Sequence, residues 1–291
     1  MHPAPSVIIF TVLSGLGFGM LAWLGIGLPD VTGRTAFIFF FISYALAVAG
    51  LLASTFHLGN PQRALKAFTQ WRTSWLSREA WMAVISLSTM GIYAASAIFL
   101  GIKLPILGWI AAALCMVTVF TTSMMYTQMK TVPRWSHPAT PLIFLLYSIS
   151  GGALMVGQVS IATVLLLVTG AAQLLVWAYA DTRFKAAGST IETATGLGRI
   201  GKTRQYEPPH TGTNYLLHEM VHVIGRKHAR VLRIIALLGA FVLPALILSL
   251  TGLGHMGALI AVLLHIAGLF VSRWLFFAEA EHVVGLYYDQ R

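Results

Sequence analysis

The sequence predicts an all-α integral membrane protein, eight transmembrane helices in an up-and-down bundle, from three observations. The 291-residue chain is 57% hydrophobic and 10% charged, with a mean hydropathy of +0.78, far from the composition of a soluble domain. Apolar runs of roughly 20 residues recur along it, each long enough to cross the hydrocarbon of a bilayer. They are continuous rather than alternating, so their backbone groups must pair within the segment, as in helices rather than barrel strands.

Taken in order, the runs are 6–27, 36–56, 80–101, 106–129, 141–157, 160–180, 231–252 and 257–277. The first follows MHPAPS, which has neither a basic leader nor a small-residue cleavage site, so it reads as a retained helix. The fifth is the shortest and contains Gly151 and Gly152, small residues that permit close helix contact. Connections near 102–105, 158–159 and 253–256 are short enough to force antiparallel neighbours. The whole of 1–291 is expected to form one transmembrane domain with a cytoplasmic loop at 181–230.

An even number of spans puts both termini on one face. The net charge of +10 is then a topology signal rather than a sign of nucleic-acid binding. Nearly all the basic residues fall on the face of the termini, Arg34 and Lys103 alone lie on the other, and Arg233 and Arg273 sit within spans. A Lys/Arg excess keeps loops cytoplasmic. The termini and the 57–79 and 181–230 loops are therefore predicted to be cytoplasmic, with the chain multi-pass in a bacterial cytoplasmic membrane. The single cysteine, Cys115, lies in an apolar run. This excludes an internal disulfide and a cluster held by this chain's cysteines alone, since a cluster takes about four thiolates.

Several ionisable residues collect at one depth of the termini face. His57 ends the second span, Glu79 precedes the third, Tyr126 and Lys130 end the fourth, Asp181 ends the sixth, and Arg273 lies one turn inside the eighth. Two-electron chemistry on a quinone requires hydrogen-bond partners for two oxygens, a proton-exchanging group and an apolar entrance. Histidine and a partly desolvated glutamate suit the proton exchange. Interfacial residues that snorkel or pair with loops would give the same pattern. Haem is not expected, because only His265 lies mid-span and a membrane haem usually takes two histidines at matching depth; His265 is expected to hydrogen-bond within the bundle.

Two further patterns lie in the long loop. Residues 196–203, GLGRIGKT, fit a phosphate-binding loop through Lys202 and Thr203, but that motif signals only between a strand and a helix. HEMVHVIGRKH fits a zinc-protease pattern with His218, His222 and His228 as ligands and Glu219 as base. The alternative is an amphipathic surface helix presenting Leu216, Leu217, Met220, Val221 and Ile224 to lipid or a partner. No metal is expected in this chain.

HLGNPQRA at 57–64, TSWLSRE at 73–79, Tyr126, TVPRW at 131–135 and Thr140-Pro141 resemble the membrane anchor subunit of the dimethyl sulfoxide reductase family. The resemblance covers most of the chain, and its first motif is the most specific. It implies a heterotrimer in which an iron-sulfur subunit bears [4Fe-4S] clusters and a catalytic subunit bears a molybdenum bis-pyranopterin cofactor. The anchor would exchange electrons with ubiquinone or menaquinone and carry no catalytic residue of its own for the molybdenum reaction. The family's quinone-site histidine and glutamate fall on His57 and Glu79, and Arg63 and Tyr126 match further family positions. Arg273 is added as a quinone-binding candidate. Arg72, Arg78, Lys130, Arg134 and Trp135 are expected to dock the iron-sulfur partner. The opening MHPAPSVIIFTVLSG, the loop containing ATGLGRIGKTR and the ending EAEHVVGLYY are similar to anchors of cytoplasmic sulfite dehydrogenases in this family. Sulfite oxidation feeding the quinone pool is therefore the expected activity of the complex. The alternative is the anchor of a dimethyl sulfoxide or related S/N-oxide reductase that oxidises quinol; a membrane zinc protease is a remote one.

Overall fold

A computed structural model describes residues 1–57, 59–207, 209–222, 224–250 and 254–289, without the side chains of His57, Pro61, Ile224 and Gly225. Among the described residues there is no strand. The long helices are α1 (Pro5–Gly25), α2 (Gly33–Ala53), α3 (Trp75–Ala95), α4 (Pro105–Thr127), α5 (Ala139–Met155) and α6 (Val159–Ala186). The long loop holds two short helices, α7 (Ile191–Thr195) and α8 (Tyr215–Met220). Then α9 (Ala229–Leu237), a π turn (Leu238–Val242) and α10 (Leu243–Ser249) run on as one rod, and α11 (Gly254–Ala278) follows.

The all-helical membrane bundle read from the sequence is what the chain forms. Seven helices among the described residues are long and apolar enough to cross a membrane. The remaining expected span, the fifth, is α5, which has 17 residues, a length of roughly 25 Å at the lower limit for crossing. It stops just before Gly157, whose φ of 76° is left-handed, and Gly151 and Gly152 within it seat it in the bundle interior. A Cβ at Gly152 would fall 2.4 Å from the backbone of Gly19, and one at Gly19 would fall 1.9 Å from the carbonyl oxygen of Ser148. Thus α1 and α5 touch backbone to backbone, the small-residue contact that membrane helices use in place of a hydrophobic driving force.

Helix ends follow local chemistry. Proline opens α1 and α4 at the first turn, where its missing N–H costs nothing. The π turn Ser96–Leu100 that extends α3 ends at Gly101 with φ 66°, a left-handed stop that favours glycine. Ser74 caps α3 by accepting from the Ser77 amide at 3.4 Å.

Packing sets α1 at the centre, against α2, α4, α5 and α11. Helix α3 pairs with α4, α5 with α6, and the α9–α10 rod with α11. Fully buried Phe18, Met20, Leu21, Met90, Leu166 and Phe241 fill the middle. His265 is fully buried there, its Nδ1 2.5 Å from the Ala240 carbonyl oxygen in the second π turn, which is the bundle hydrogen bond expected of it.

Candidate functional site

The site is built where α3, α4, α5 and α11 end on the termini face. The Ser74 cap fixes the start of α3 and so sets Glu79 about one turn inside it. There Glu79 is 5% exposed, and the Thr122 hydroxyl donates to its Oε1 at 2.5 Å. The same hydroxyl lies 3.0 Å from the Thr118 carbonyl oxygen, and the Thr118 hydroxyl donates to Ser86 Oγ at 3.1 Å. Thr118, Thr122 and Tyr126 recur every four residues, so they share the face of α4. Among the described residues no cation lies within ion-pair distance of Glu79.

One turn beyond Thr122, Tyr126 is buried in an aromatic cage. Its ring centroid is 5.4 Å from those of Trp135 and Phe276, 5.6 Å from that of Phe277 and 5.7 Å from that of Phe144. Arg273, 4% exposed, rests its guanidinium carbon 3.7 Å from the Phe144 ring centroid and 4.7 Å from that of Tyr147. Among the described residues it has no carboxylate within 4 Å. Stacking on aromatic faces gives a buried cation part of the stabilisation water would supply, about 2 kcal/mol when desolvated. Tyr126 and Arg273 both pack on the Phe144 and Phe276 rings, and Arg273 lines one cavity with Thr122, the partner of Glu79. Glu79, Tyr126 and Arg273, chosen from the sequence by depth, therefore meet in one buried group.

The other expected quinone residues stand differently. His57 closes the turn Ser54–His57 at the end of the second span, and its side chain lies outside the described residues. Arg63 is exposed on the 3-10 helix Pro61–Phe68 and is not brought to the buried group. Thr122, which holds Glu79, was missed in the sequence, where its only signal is the four-residue spacing to Thr118 and Tyr126.

Among the residues expected to face a partner, Arg72 and Lys130 are exposed. Arg78 folds the loop back on itself, donating to the carbonyls of Trp71 at 3.0 Å and Arg72 at 2.7 Å. Trp135 corrects the expectation. It is 2% exposed, stacks 5.2 Å from Phe276 and donates from Nε1 to the Phe276 carbonyl at 2.9 Å. The loop after α4 dips back onto the end of α11, so this tryptophan is core. Arg134 pairs inside the chain, with Asp181 at 2.8 Å and Glu279 at 2.6 Å. Arg233 grips the same two carboxylates at 2.7 Å each. This four-charge cluster ties α6, α9 and the end of α11 together beside a cavity of about 310 Å³.

The long-loop patterns do not form their motifs. Helix α8 stops at Met220 and Val221 is extended, with φ −115° and ψ 84°, so His218 and His222 do not share a helix face. The expected amphipathic helix through Ile224 is cut short in the same way. Burial, the N-terminal amine and the neighbouring His2 and Arg226 hold the His222 imidazole below its ordinary range. Among the described residues no three His, Cys, Asp or Glu are grouped to hold a metal. GLGRIGKT begins where α7 ends at Gly196 and continues into a 3-10 turn, Leu197–Arg199, with neither the strand nor the helix that a phosphate loop needs.

A polytopic helical bundle whose buried carboxylates and guanidinium, Glu79, Glu279 and Arg273, lie toward one end has the build of an integral membrane protein. A family model described as "DMSO reductase anchor subunit (DmsC)" matches residues 1–278, and the chain belongs to that family. It is 31% identical over 327 aligned residues to a sulfite dehydrogenase subunit of Allochromatium vinosum, covering 99% of each chain. It is 28% identical over 160 residues to the anaerobic dimethyl sulfoxide reductase chain YnfH of Escherichia coli, covering 53% of this chain and 56% of that one. No solved structure matches.

Proposed function

We propose that this chain is the quinone-reactive anchor of a molybdenum and iron-sulfur oxidoreductase, passing electrons from sulfite oxidised in the cytoplasm to ubiquinone or menaquinone. The observation that carries the reading is Glu79, a carboxyl group buried at the bundle end with a threonine hydroxyl as its partner and no cation beside it among the described residues. A buried carboxyl group without an ion pair is a costly feature in a membrane helix, and such features are usually functional. Tyr126 and Arg273 supply a hydroxyl and a guanidinium to meet quinone oxygens, and the Phe144 and Phe276 rings supply apolar walls. Glu79 holds or yields a proton at its carboxyl oxygen as the quinone changes redox state. The relative from Allochromatium vinosum, matched over its whole length, favours sulfite as the electron source.

The termini and the basic 61–78 loop face the cytoplasm in this reading, which the Lys/Arg asymmetry favours, and exposed Arg72 and Lys130 meet the iron-sulfur subunit. The catalytic subunit brings the molybdenum cofactor and the iron-sulfur subunit its [4Fe-4S] clusters. A second reading, a dimethyl sulfoxide reductase anchor that oxidises quinol, is favoured by the similarity to YnfH over half the chain. Purification of the tagged chain from mild detergent, with metal analysis and paired sulfite and sulfoxide assays, tests both. Molybdenum with about sixteen irons, as four cubane clusters imply, supports the anchor role, and the assay that responds selects the substrate. Zinc alone, with no partner subunit, overturns it.

A further inference from the structure

We propose that Tyr147 joins two internal cavities into a proton route running from Glu79, across the bundle, to the Asp181–Glu279 cluster at the termini face. The proposal rests on the quinone reading of Glu79 and adds where its proton comes from.

Two cavities flank Tyr147. The first, between α1, α4, α5 and α11, gives a water centre about 20 Å³ and is lined by Thr122, Ser14, Ser148, Tyr147 and Arg273. The second, between α5, α6 and α11, gives about 30 Å³ and is lined by Tyr147, Gln173, Arg273, Arg134 and Glu279. A water needs roughly 10–15 Å³ by this measure and two to four polar partners, so each has room for one or two. The walls suit water in particular. Ser14 and Ser148 line the first cavity and donate to the carbonyls of Phe10 and Gly15, each at 2.6 Å, so their oxygens retain the capacity to accept. Arg273 lines both cavities and offers only donors. Water accepts from the guanidinium and donates to the hydroxyl oxygens, so it satisfies both sides at once.

The ends connect. Thr122 borders the first cavity and is bonded to Glu79. Tyr147 lines both cavities, and its hydroxyl is 2.6 Å from Gln173 Oε1 and from Ser272 Oγ, which line the second. The second cavity ends at Glu279 and Arg134, which also border the larger one containing Asp181. The Asp181 side chain is 44% exposed, so the route reaches solvent there. Arg273 makes a resident hydronium beside it costly. Transfer through Tyr147 is therefore a shift of hydroxyl and water protons along the chain, and the same charge excludes other cations.

Reduction of a quinone to a quinol consumes two electrons, here from the iron-sulfur partner, and two protons. One proton leaves the Glu79 carboxyl to form a quinol O–H bond, and the resulting carboxylate is reprotonated through Tyr147 from the Asp181–Glu279 end. The other proton comes from water at the loop side of the site.

The test uses the intact complex in membranes and compares sulfite-driven reduction of decylubiquinone with that of ferricyanide, which takes electrons from the iron-sulfur subunit. Tyr147→Phe keeps the ring beneath Arg273 and removes the relay hydroxyl. It should slow quinone reduction by about 10- to 100-fold, enlarge the ratio of rates in H2O and D2O, and leave ferricyanide reduction unchanged. Gln173→Leu should give the same signature and serves if Tyr147→Phe fails to assemble. Wild-type quinone rate and isotope ratio in either variant, with Glu79→Gln impaired, overturn the route and leave the quinone site standing. An unimpaired Glu79→Gln overturns the quinone site itself.

Discussion

Glu79 and Glu279 are equally buried, each 5% exposed, both at the termini-face end of the bundle, and they are held in opposite ways. Glu279 is clamped by Arg134 and Arg233, which also share Asp181. Glu79 has a threonine hydroxyl. A buried carboxylate gripped by two guanidiniums is fixed in charge and position and works as a tie between helices. A buried carboxyl with a neutral partner can change protonation without breaking an ion pair. The same residue type at the same burial is a rivet in one place and a reactive group in the other.

The contrast can be broken most severely at Glu279. Glu279→Gln takes one of two carboxylates from Arg134 and Arg233 and leaves them to Asp181 alone, a loss of up to about 3 kcal/mol, the lower end for breaking a buried pair, to be read as a lower melting temperature of the detergent-solubilised complex. Glu79→Gln should leave that melting temperature nearly unchanged while reducing quinone-linked turnover about 100-fold or more, with ferricyanide reduction intact. If both variants lose stability alike, the distinction fails. Thr122→Val removes the one side-chain partner that Glu79 has among the described residues, at similar volume, and should cost about 1 kcal/mol, seen as a several-fold slower quinone reaction. The smallest effect is expected from Asp181→Asn. Its carboxylate is 44% exposed, where ion pairs contribute about 0.2–1 kcal/mol, and a larger loss in thermal unfolding would show the cluster acting as one cooperative unit.

Depth along a helix was legible in the sequence, and neighbourhood was not. Counting from the ends of apolar runs put Glu79, Tyr126 and Arg273 at one level, because a helix advances by a fixed rise per residue. Nothing in the pattern says that α1 stands in the middle or that α4 lies between α3 and α5. Thr122, Tyr147 and Gln173 were therefore invisible, since a hydroxyl or amide inside an apolar run looks alike whether it faces lipid or a partner. Glu279 follows the last apolar run and read as loop, as did Trp135. Both belong to the interior because the segment after α4 folds back over the end of α11. His57 was chosen by the same depth and by the family resemblance, and its side chain lies outside the described residues.

The close seat of α1 has a consequence for biosynthesis. Its apolar window is 67% buried, more than that of any other span, yet the helices that bury it extend to α11, near the other end of the chain. The ribosome delivers α1 before every helix that will enclose it. Its Gly19 face must wait in lipid until α5 arrives, and the side that α11 covers waits longest, so the bundle closes around its oldest member last, and a chain halted before α11 would present α1 half-wrapped to the membrane's quality control.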